Sequence, residues 1–201
     1  MTTDESKLLL IDESDDIVHA GGSYVVACAV VLTRGAKDLA EHLRAVLDGV
    51  PRRKRPFHWS EEGPTVRRSI LEVVAAANVS AVAVVGSLHA GLGQEQVRYQ
   101  CLRELFVLTG AGATELVMES RARELRNVGQ NRTDHRAIVD ARHARELLPM
   151  LRYRWADKAE PLLWAPDAVA GMALASLRND RAWLTFFEQA GGSLQIVATD
   201  P

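Results

Sequence analysis

An α/β fold, with helices layered on a mixed sheet, is what this sequence predicts, and two patterns and one bulk property carry the prediction. Short apolar, valine-rich runs bounded by turn residues recur along the chain as strands do. Segments with apolar residues at helical spacing separate them, and that alternation belongs to an α/β layer fold. The 201 residues, 47% hydrophobic and 25% charged, hold enough apolar material for one sizeable core. One domain over 1–201 is therefore expected.

The first run, residues 8–12 (Leu-Leu-Leu-Ile-Asp), is apolar throughout and closed by acids, which suits a central strand. A second, 24–32, is rich in β-branched residues and follows the Gly21-Gly22 turn. Between 36 and 47, Leu39, Leu43, Val46 and Leu47 repeat at helical spacing and Gly49 supplies the stop. A proline-bounded basic loop, Pro51-Arg52-Arg53-Lys54-Arg55-Pro56, leads to Phe57-His58-Trp59, and Pro64 opens a helix to about residue 77. The valine-rich 79–88 reads as a buried strand, 94–109 as a helix between glycines, and 113–118 as a strand ending at Glu119. Thr133 can cap a helix running through 148 to Pro149, and 151–155 alternates like an edge or half-buried strand. A small-residue helix from Pro166 to about 177, another over 180–189 and a last strand over 194–198 complete the chain. With 33–78 set aside as a helical insertion after the second strand, the order is strand, strand, strand, helix, strand, helix, strand, helix. That is the ribonuclease H-like topology.

In that topology the first strand, the fourth strand and the last core helix meet along one edge, and Asp12, Glu119 and Asp167 fall on those three elements. Singly each acid has an ordinary explanation: an acidic turn at Asp12-Glu13-Ser14-Asp15-Asp16, a solvated strand end at Glu119, a helix-dipole partner at Asp167. Jointly they make a hard-oxygen site for Mg²⁺ or Mn²⁺, because mutual repulsion among carboxylates is relieved when a cation binds. Two ions about 3.5–4 Å apart at such a cluster suit phosphodiester hydrolysis. Glu13, on the opposite face of a regular strand, is a second-rank ligand.

The segments Leu10-Ile11-Asp12-Glu13-Ser14, Phe57-His58-Trp59, Met118-Glu119-Ser120-Arg121, Trp155-Ala156-Asp157-Lys158 and Ala165-Pro166-Asp167-Ala168-Val169-Ala170-Gly171 resemble an uncharacterised prokaryotic family of ribonuclease H-like proteins. That family shows an Asp-Glu-Ser first strand, a His-containing insertion and a late Ala-Asp-x-x-Ala-Gly helix. The resemblance spans nearly the whole chain and implies a metal-dependent nuclease-like site without supplying a substrate.

His58, between aromatic residues, is a candidate proton-transfer group because imidazole titrates near neutral pH; a structural loop histidine is the plainer reading. Lys158 is a candidate phosphate partner. A net charge of −2 gives no global attraction for nucleic acid, so a polyanion must be gripped locally. Arg52, Arg53, Lys54 and Arg55 form one basic patch. Arg121 and Arg123, directly after Glu119, form another. The two cysteines, Cys28 and Cys101, lie in apolar or helical stretches and predict buried thiols in a reducing compartment. Neither a signal-peptide pattern nor an apolar stretch of the ~20 residues needed to cross a bilayer is present, so a cytoplasmic protein is expected. The Gly91-Leu92-Gly93 segment lacks the third glycine of a dinucleotide fingerprint, and serine-hydrolase and zinc-protease motifs are absent. The leading expectation is a divalent-metal-dependent nuclease acting on nucleic acid. A catalytically silent nucleic-acid or protein-binding module on the same fold is the alternative.

Overall fold

The computed structural model describes residues 7–16, 23–32, 35–49, 56–87, 92–120 and 131–199, and for 15–16 and 23–32 the backbone alone. Six strands form one sheet: β1 (Lys7–Asp16), β2 (Ser23–Leu32), β3 (Ser80–Ser87), β4 (Ala113–Glu119), β5 (Arg152–Ala156) and β6 (Ser193–Ala198), in the order β5-β4-β1-β2-β3-β6. β1 pairs antiparallel with β2, and β2 with β3; the β1–β4, β4–β5 and β3–β6 pairs are parallel. The sheet is therefore mixed, with β1 inside it and β5 and β6 at its edges.

Strand periodicity sorts β1 between two helical layers. Leu8 and Leu10 pack with one cluster, formed by α1 (Ala36–Asp48), α2 (Pro64–Ala76), α5 (Trp164–Leu177) and α6 (Ala182–Gln189). Leu9 and Ile11 pack with the other, formed by α3 (Gln94–Thr109) and α4 (Arg132–His143). Both faces of β1 are buried over residues 8–11, so that stretch is a continuous apolar run without alternation. α1 and α2 lie between β2 and β3 in the chain and share the α5 layer. α5 is apolar on all sides because β1 and β2 lie against one face and α2 and α6 against others. Burial of Val169, Met172 and Leu174 there stabilises the fold by roughly 1.5–3 kcal/mol each.

The structure departs from the expectations at three element ends. β1 continues to Asp16, so Asp12 lies inside a strand and not in a turn. α5 begins at Trp164, ahead of Pro166, because the 3-10 turn Pro161–Leu163 runs directly into it. α4 stops at His143, well short of 148. Arg145 adopts φ 63°, and the Glu146 N–H returns to the Ala141 carbonyl at 2.9 Å, a left-handed helix stop. Glycine is the usual residue at such a stop, and arginine there gives the sequence no signal. Among the described residues no helix is long and apolar enough to cross a membrane. Cys101 is buried with its thiol pushed up to about 12 by burial; the Cys28 side chain lies outside the described residues.

Candidate functional site

The parity that buries Leu8 and Leu10 carries Asp12 onto the α5 face of β1. On β4, Val117 packs in the same layer, so Glu119, two residues on, faces the same way. The parallel register sets Ile11 beside Met118, which places Asp12 and Glu119 next to each other at the adjoining strand ends. Asp167, in the first turn of α5, completes the group from above. All three acids line one cavity of about 340 Å³ together with His58, Lys158 and Arg98.

Two of these carboxylates, Asp12 and Asp167, are held against their solution preference. Asp12 is 6% exposed and its pKa is raised well above the ordinary value, by burial first and then by the charges of Glu119 and Asp167; its carboxyl also hydrogen-bonds that of Glu119. The Asp167 pKa is pushed up to about 7, mainly by burial and also by Glu119 and Glu62, against the Trp59 N–H and Lys158, which favour the charged form. Opposing cations are few among the described residues. Lys158 Nζ lies 3.4 Å from Glu119 Oε1 and is about half exposed, which weakens its effect. The Glu13 N–H donates to Asp12 Oδ1 at 2.8 Å, and the Trp59 N–H to Asp167 Oδ2 at 3.0 Å. His58 Nδ1 lies 3.7 Å from Asp167 Oδ2.

The donor set fits a divalent cation of the Mg²⁺ or Mn²⁺ kind. Its ligands are hard oxygens, and it gathers more negative charge than the described neighbours neutralise. Among the described residues, however, no three Asp, Glu, His or Cys side chains already form a metal cage. Asp12 and Glu119 face each other through a hydrogen bond, whose proton must leave before both can hold an ion.

Glu13 behaves differently from its neighbour. It faces the α3/α4 side, where Arg98 ion-pairs with it and also forms a two-pronged pair with Asp134, at 2.6 Å from Nε and 3.0 Å from Nη2. Arg98 is 3% exposed and Asp134 fully buried. Sequence reasoning missed this trio. The available signal was a charged residue at each of two buried helical positions, Arg98 among Val97, Cys101 and Leu102, and Asp134 ahead of Ala137 and Ile138. Arg52, Arg53, Lys54, Arg55, Arg121 and Arg123, the expected basic grip, lie outside the described residues.

No protein-family model and no curated protein matches the chain. Among solved structures it is similar to the ribonuclease H2 from Pyrococcus horikoshii OT3, with 13% identity, a TM-score of 0.53, and coverage of 92% of this chain and 77% of that one. The fold is ribonuclease H-like. Two Bst-RNase HIII structures, a mutant protein and a complex with Mn²⁺, align at TM-scores of 0.46 and 0.49 with 15% and 14% identity. The alignment covers 92% of this chain but 54% of each of those, so the chain spans about half their length.

Proposed function

We propose that this ribonuclease H-like chain is a divalent-metal-dependent nuclease that hydrolyses phosphodiester bonds of nucleic acid at Asp12, Glu119 and Asp167. The observation that carries the reading is the convergence of three acids from β1, β4 and α5 on one cavity, two of them with raised pKa values and, among the described residues, a half-exposed lysine opposite. A fold does not fix a function, so the reading rests on these acids and not on the likeness to a ribonuclease H2. When bound, Mg²⁺ or Mn²⁺ would supply the positive charge that offsets the charge developing on a phosphodiester and makes water a better nucleophile at neutral pH.

The chain's own residues have distinct tasks in this scheme. Asp12, Glu119 and Asp167 hold the cation. His58, at the cavity wall beside Asp167, takes or returns a proton. Lys158 moves between Glu119 and a substrate phosphate, and the basic segments Arg52 to Arg55 and Arg121 to Arg123 grip the backbone in a salt-dependent way.

The hydrogen bond between Asp12 and Glu119 favours a second reading, a catalytically silent binding module whose acids are simply proton-sharing neighbours. Cleavage of single-stranded, duplex and hybrid substrates with Mn²⁺ separates the two. The wild-type chain is expected to cleave at least one, and Asp12→Asn, Glu119→Gln and Asp167→Asn each to lose that activity while staying folded. Variants that cleave like wild type sink the assignment of these acids, and a wild-type chain that cleaves none of the panel favours the silent module.

A further inference from the structure

The segment between β2 and β3 reaches the site through Phe57, His58, Trp59 and Ser60, and Trp59 anchors them. Trp59 opens a 3-10 turn, Trp59–Glu61, and its ring lies on α5 where α5 has Gly171. A Cβ at position 171 would stand 2.2 Å from Trp59 Cγ, so only glycine allows this approach. The other sides of the indole are occupied too. The Trp183 ring of α6 meets it edge-on at 5.2 Å, and the Arg67 guanidinium of α2 lies 4.7 Å from its centre. Arg67 Nε also donates to the Trp59 carbonyl at 2.9 Å.

The backbone of this clamped residue does what the ring does not. Its N–H donates to Asp167 Oδ2, four residues before Gly171 and so one helical turn away on the same face of α5. The residue before it is His58, which the same geometry sets beside that oxygen. Ring, N–H and histidine are therefore fixed by a single seat.

We infer that Trp59 is a positioning residue: seated on Gly171, it fixes the rotamer of Asp167 and delivers His58, which makes the insertion a working wall of the site. The inference rests on the metal-site reading above and deepens it. Hydrogen-bond partners behind metal ligands typically govern 10–100-fold of metal affinity. The same scale applies to Trp59.

Isothermal titration of the full chain with Mn²⁺, beside thermal melts, tests the role. Gly171→Ala drives a methyl into the indole and should weaken Mn²⁺ binding at least tenfold. Gly86→Ala is the matched control, because its Cβ would stand 2.4 Å from Val97 Cγ1 in the α3 layer, across the sheet from α5 and Asp167. It should lower the melting temperature and leave Mn²⁺ affinity within about twofold. Trp59→Ala, which introduces no clash, serves if Gly171→Ala does not fold, and should also lose at least tenfold. The double variant Trp59→Ala/Gly171→Ala should bind no more weakly than the worse single one, since both act through one contact. Folded Gly171→Ala or Trp59→Ala protein that binds Mn²⁺ like wild type overturns the positioning role, as does an equal loss in Gly86→Ala. A wild-type chain that binds no Mn²⁺ overturns the metal site itself, and this role with it.

Discussion

Asp12 and Glu13 are adjacent on one strand, carry the same charge and end up in opposite circumstances. Glu13 turns to the α3/α4 face, where the buried guanidinium of Arg98 ion-pairs with both it and Asp134, one cation between two acids. Asp12 turns to the α5 face, where burial and two further acids raise its pKa and the lysine that opposes them, Lys158, is half exposed. Buried charges are tolerated when paired, and on the α3 side they are. The difference separates acids with a buried cationic partner from acids without one: burial alone does not mark a functional carboxylate, whereas burial without a matching cation makes it a candidate.

The largest break in this comparison should come from Arg98→Met. It leaves the buried Asp134 and the half-buried Glu13 without their partner, and losing one member of such a group costs about 3–5 kcal/mol. Urea melts at pH 7 should show that loss, whereas removal of an α5-side acid should show none. A stability change under about 1 kcal/mol would mean that the Arg98 trio is not the compensated region described here.

An effect of opposite sign, no larger than that of Arg98→Met, is expected from Asp167→Asn, which keeps the oxygen that accepts from the Trp59 N–H. A carboxyl with a folded pKa of about 7 against an ordinary value near 3.8 contributes its stability fully below pH ~4 and loses it as pH rises through about 7. In metal-free buffer the wild type should therefore weaken over that window. The variant should match it near pH 4 and exceed it at pH 8 by up to about 4 kcal/mol, about three units of displacement at about 1.4 kcal/mol each. Melts in chelator across this range check it. A difference that does not change with pH, or one that favours wild type at pH 8, contradicts the raised pKa.

Much of the sheet was legible because its strands bury one or both faces and therefore carry long apolar runs. From β1 and 113–118, with Glu119 closing the latter, the topology alone places Asp12 beside Glu119, and the structure agrees. What the sequence hid has specific causes. The end of α4 rests on Arg145 in a left-handed conformation, where no glycine announces it. The Arg98–Asp134 pair is long-range, joining α3 to α4, and each half alone looks like an ordinary surface charge. The Trp59–Gly171 seat joins residues 112 positions apart by shape, which no local pattern encodes.

The central claim is that the uncompensated α5-side acids are built for a divalent cation. A crystal of the full chain soaked in millimolar Mn²⁺, with anomalous data, tests it most directly. The account predicts Mn²⁺ density held by Asp12, Glu119 and Asp167, the Asp12–Glu119 hydrogen bond replaced by shared coordination, and Glu13 still paired with Arg98. Density elsewhere on the molecule, or none while Asp12 and Glu119 remain hydrogen-bonded to each other, would contradict it.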